Sequence, residues 1–167
     1  GNFGRGEFSK MTAIIGSYNG KSKSGDNVIS MYLEKMKSKG LSGKNTAEIK
    51  NAEEGLAGVY QMYIQLKTCY EVRKGHSMVW IKKKKMDEIK SYTKKMETKL
   101  IEEVPQLKSS KDKIWADTSL MWTKKLKFLE DADYSTGKEA CDGVLYPFMM
   151  VAEKMFPPTG EVVEKDF

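Results

Sequence analysis

Apolar residues recur in steps of three and four over most of the chain, and no stretch shows the alternation of a half-buried strand. From Asn45 or Thr46 onward, Ile49, Ala52, Leu56, Val59, Tyr60, Tyr63 and Tyr70 share one helical face. Glu48 and Glu53 suit the positive end of that helix's dipole, and Arg73-Lys74-Gly75 ends it with cations in the last turn and a glycine beyond. Gly55 and Gly58 each cost about 1 kcal/mol of helix propensity relative to alanine. Together with Ala52 they form a small-residue patch that a neighbouring helix can approach closely.

A second stripe, Met86, Ile89, Thr93, Met96, Leu100 and Val104, predicts a helix from about Met86 that stops before Pro105. Lys83, Lys84, Lys90, Lys94, Lys95 and Lys99 lie off this stripe. The preceding Ser77–Ile81 stretch is out of phase, because a continuous helix would place Trp80 and Ile81 on the lysine face. It is either an irregular helix start or a separate bend. Pro105 and Ser109-Ser110 signal a stop, after which Trp115, Trp122, Leu126 and Leu129 share a face of a helix over about 113–129. Residues 131–137 read as a turn-rich link. The last segment, about 138–156, is apolar nearly all round between Val144 and Val151, the pattern of a central helix. Pro147 is expected to kink it or to restart the helix there. Upstream, residues 16–25 are loop by composition, and Asp26 reads as the N-cap of a short helix that stops at Gly40.

These elements predict an all-α fold, an irregular bundle of five or six helices forming a single domain over residues 11–158. A flexible leader over 1–10, with three glycines in its first six residues, and an extended tail over 159–167 complete the expected organisation. The length of 167 residues suits one domain, and 40% hydrophobic with 31% charged residues is a globular balance. No run of uncharged apolar residues is long enough to predict a transmembrane helix.

Charge changes the picture more than composition does. The net charge is +6, yet ten cations face three anions over 73–99, whereas nine anions face three cations over 129–167. The candidate binding surface is therefore a basic face made of Arg73, Lys74, Lys82, Lys83, Lys84, Lys85, Lys90, Lys94 and Lys95, with Trp80 beside it as an aromatic able to insert or stack. If the acidic last helix packs against this face, the two fields partly cancel. If they point apart, the face steers an acidic protein surface, the favoured partner. Nucleic acid or an anionic membrane is the alternative. Only Arg5 and Arg73 of the 29 cations are arginine, which counts against a dedicated nucleic-acid reader, because lysine lacks the planar fork that reads base edges. The plainest reading of the lysine run is a solvated helix start.

Candidate chemistry is sparse. His76 is the sole histidine, and Cys69 lies about two helical turns away across a glycine. The carboxylate pairs Glu53/Glu54, Asp87/Glu88 and Glu102/Glu103 are adjacent in sequence, so on a helix they point about 100° apart and cannot share a site. No glycine-rich phosphate loop, Glu-x-x-His repeat or methionine cluster is present, so no cofactor and no metal are expected. Cys69 and Cys141 are too far apart for a metal motif and leave two readings, a single disulfide or two unrelated core cysteines. The chain opens on Gly1 with its first methionine at Met11, which predicts removal of a tag or a targeting segment. The expectation is a non-enzymatic helical binding protein of unidentified ligand, with the Cys69–Cys141 disulfide kept as one of two readings and a periplasmic or secreted location slightly favoured over a cytoplasmic one. A basic module acting through residues 73–99 on nucleic acid or membrane comes second, and an enzyme centred on His76 and Cys69 third.

Overall fold

Twenty-eight residues, Thr46–Arg73, form the helix α1, around which the others are arranged. They are α2 (Lys83–Glu103), α3 (Leu107–Lys125), the four-residue turn α4 (Phe128–Asp131) and α5 (Tyr134–Met155). The computed structural model describes residues 46–157. The expected leader, the short helix after Asp26 and the 159–167 tail lie outside the described residues. Among the described residues there is no strand, and the fold is all-α.

The described residues form four helices and one isolated turn, where five or six helices were expected for the chain with the one after Asp26 included. One boundary differs from the expectation, since α3 begins at Leu107 rather than near Lys113. The predicted stop at Ser109-Ser110 is absorbed into its first turn, where the Ser109 hydroxyl donates to the Gln106 carbonyl (2.9 Å) and the Ser110 hydroxyl to that of Leu107 (3.5 Å). Serine competes for backbone groups in this way most readily at a helix N-terminus. Pro147 lies inside α5 without restarting it, so no sixth helix begins there. A proline deprives the carbonyl four residues earlier of its donor, here the carbonyl of Gly143, a residue without a side chain to crowd the ring.

α1 touches every other element. Its predicted face buries Ala52, Leu56, Val59 and Tyr60, with Leu66 beside them, but Met62, Cys69 and the polar Gln61 and Gln65 are buried on other sides. The central helix is therefore α1 and not the last one. α5 buries Val144, Leu145, Phe148, Val151 and Ala152 but leaves Tyr146 63% and Met150 56% exposed. Cys69 and Cys141 form a disulfide joining α1 to α5, with Cα atoms 6.1 Å apart.

The predicted stripe of α2 is buried in full, from Met86 to Val104. The helix starts at Lys83, where the Lys82 carbonyl accepts the Met86 N–H (2.9 Å). Between α1 and α2 the chain turns at Gly75, whose φ of +90° suits a residue without a side chain. The out-of-phase Trp80 and Ile81 belong to this bend, and both point into the core. The Trp80 indole N–H donates to the Tyr134 carbonyl (2.9 Å) beside the start of α5. Asp133 caps that start, its side chain accepting the Thr136 N–H (2.7 Å).

Candidate functional site

Because Met86, Ile89, Thr93, Met96 and Leu100 turn inward onto α1, the remaining positions of α2 face outward. Lys83, Lys84, Lys90, Lys94 and Lys95 are exposed there, as is Lys82 just before the helix, and Lys85 and Lys99 are half-exposed. Three of them pair along the helix, Lys83 with Asp87 (3.2 Å), Lys85 with Glu88 (2.9 Å) and Lys94 with Glu97 (3.1 Å). Lys82, Lys84, Lys90 and Lys99 meet no carboxylate among the described residues. Exposed pairs of this kind contribute about 0–1 kcal/mol each, so the lysines are held in place by the inward stripe rather than by their partners. α5 meets α2 only along a narrow edge, where Tyr92 stacks on Phe156 (centroids 6.4 Å) and the Lys95 ammonium lies over both rings at 5.6 and 5.9 Å.

Besides Lys82, three members of the predicted basic face lie off α2. Arg73 ends α1 and is half-buried, its guanidinium 5.0 Å from the Trp80 ring centroid and 5.6 Å from that of Tyr134. Lys74 pairs with Glu71 (3.5 Å) on the same helix end. Trp80 is only 2% exposed and cannot insert or stack on a ligand. The signal for its burial was its phase, because a large apolar ring at a position opposed to the stripe forces the chain out of the helix.

The outer side of α2 also borders an open groove of about 1390 Å³. Tyr92 and Phe156 line one side, and Tyr63 and Trp115 form another wall. Spacing had assigned Trp115 to the same core face as Trp122, Leu126 and Leu129. Those three are buried, but Trp115 is 37% exposed. It lies at the groove edge-on to Tyr60 (centroids 5.2 Å, 90°) and tilted against Tyr63 (6.0 Å). Between this wall and α2, the Tyr60 hydroxyl donates to the Glu97 carboxylate, which also accepts from Lys94. Burial pushes the Tyr60 pKa up, and the hydrogen bond and charge of Glu97 push it further. For Glu97, burial works to raise the pKa, but the hydrogen bonds from Tyr60 and Lys94 and the charges of Lys94 and Lys111 outweigh it, so the carboxyl titrates below its usual value. Burial, with the Glu71 charge, also raises the Tyr63 pKa.

His76 is exposed and lines a separate cleft of about 470 Å³ with Glu71, Arg73 and Glu130. Cys69 is fully buried and bonded to Cys141, so it presents no thiolate to His76. Among the described residues no group of three His, Cys, Asp or Glu is arranged to hold a metal ion, and no helix is long and apolar enough to cross a membrane. No protein-family model, curated protein or solved structure matches this chain.

Proposed function

We propose that this chain is a non-enzymatic binding protein whose α2 lysine face recognises an acidic protein surface. The observation that carries this reading is the exposure of that face among the described residues. Among the described residues Lys84, Lys90, Lys94 and Lys95 are exposed on one helix, and α5, with three carboxylates against two lysines, touches α2 only at an edge. Charges presented in this way raise association rates and select partners by complementary potential. The burial of Trp80 removes the aromatic that favoured nucleic acid or membrane. The disulfide between Cys69 and Cys141 supports an oxidising location, where such bonds persist. With its sulfur in that bond, Cys69 is also unsuited to act as a nucleophile.

Binding of an oligoglutamate peptide at low and at near-physiological salt tests the reading. Saturable binding that weakens with salt is expected, and Lys84→Glu/Lys90→Glu/Lys94→Glu/Lys95→Glu should abolish it with the far-UV spectrum unchanged. Tighter binding to duplex DNA or to phosphatidylserine vesicles overturns it, as does the absence of any interaction with the peptide.

A further inference from the structure

Chemistry of two kinds converges on the α2 groove. Along α2, Lys90 and Lys94 stand one turn apart, about 6 Å along the helix axis. Across from them, Tyr63 and Trp115 form an aromatic wall with the buried Tyr60 behind Trp115, and the link from Lys94 through Glu97 to Tyr60 ties the lysine side to that wall. A wall that leaves a tryptophan more than one-third exposed is suited to take an apolar side chain, because buried tryptophan and tyrosine dominate the energetics of protein interfaces.

We propose that the groove takes an extended segment of another protein in which acidic and apolar residues alternate, the carboxylates lying on Lys90 and Lys94 and the apolar side chains on Trp115 and Tyr63. This rests on the acidic-partner reading above and names the form of the partner. The spacing supports it. Residues two apart on an extended chain point to the same side and lie about 6.8 Å apart, close to the rise between Lys90 and Lys94, while the intervening residue points the other way. A ligand that lies between a charged helix and an aromatic wall needs this alternation. The groove's own carboxylates argue against a continuous polyanion. Asp87, Glu97 and Glu102 line it together with the lysines. A nucleic-acid strand bringing a charge at every nucleotide would meet these anions, whereas a peptide with spaced carboxylates can avoid them.

Trp115 supplies the readout, because Trp80 and Trp122 are 2% and 1% exposed and will not respond to a groove ligand. Two peptides of equal charge serve as probes, one with glutamate alternating with phenylalanine and one with glutamate alternating with serine. The phenylalanine peptide is expected to bind at least tenfold more tightly, the order of gain from burying one large apolar side chain, and to shift tryptophan emission to the blue. In Trp115→Phe the emission shift should vanish, while binding, followed by anisotropy of labelled peptide, persists. In Lys90→Glu/Lys94→Glu both peptides should lose affinity. Equal affinity of the two peptides, or a shift that survives in Trp115→Phe, overturns the inference but leaves the acidic-partner reading standing. Failure of both peptides to bind overturns the two together. The peptide comparison needs no variant, so it decides the matter even if a substitution impairs folding.

Discussion

The indole of Trp80 occupies the space where a side chain on residue 137 would stand, so that the first turns of α5 close directly onto the bend between α1 and α2 through Gly137. A methyl group there would lie 1.9 Å from Cζ2 of the indole, and the ring is fixed by its hydrogen bond to the Tyr134 carbonyl and by Arg73 stacked on it. Gly137→Ala is expected to cost about 3 kcal/mol, the upper part of the range for overpacking, read by urea unfolding. Trp80→Phe vacates part of that space. The double variant should therefore lose clearly less than the sum of the two single losses.

Tyr60 and Glu97 tie α1 to α2, and their shifted pKa values confine the effect to a pH window. The folded-state pKa of Glu97 is lowered from its model-compound value of 4.5. Its contribution is therefore present above that value and fades as the pH falls through the folded pKa. Tyr60 is raised from 10.0, so its contribution is complete below pH 10 and is lost as the pH rises through the folded pKa. Tyr60→Phe is expected to cost about 1.5–3 kcal/mol at neutral pH, the range for a hydrogen bond to a charged group. The difference from wild type should shrink in acid. A constant difference from pH 3 to pH 7 would show that the hydroxyl acts independently of the carboxylate.

The Cys69–Cys141 bridge closes a long loop between α1 and α5, with a sequence separation of 72. In the chain-entropy account its loss costs about 4 kcal/mol. Cys69→Ala/Cys141→Ala should lower the urea midpoint accordingly. Both cysteines are fully buried, so reductant is expected to act on the native protein only as fast as it opens.

Gln65 is fully buried, and among the described residues neither its amide nitrogen nor its amide oxygen has a hydrogen-bond partner; the nearby Gln61 nitrogen has none there either. Removing such a group is favourable when the replacement keeps its shape. Gln65→Leu should stabilise the protein by about 1–3 kcal/mol, checked by thermal and urea unfolding. A loss of stability would show that water or another polar group serves the amide.

The helical stripes needed no tertiary information. The inward positions of α2 and the outward lysines follow from a period of 3.6, because a side chain's direction around a helix is set by the backbone alone. The all-α class was legible for the same reason, and the two cysteines left a single pair to be joined. Periodicity does not state which helix is enclosed. α1 carries Gln61, Gln65 and two glycines and looked less central than the apolar run of α5, yet α1 is the helix that touches every other element. The groove lay equally out of reach, since Trp115 shares its helical face with buried residues and stays exposed only because α2 and α3 lean on α1 with a gap between them. Sequence spacing thus determined what each helix turns inward and outward. Only the packing of whole helices decided which outward faces meet one another and which remain open to a partner, because that depends on distances between segments remote along the chain.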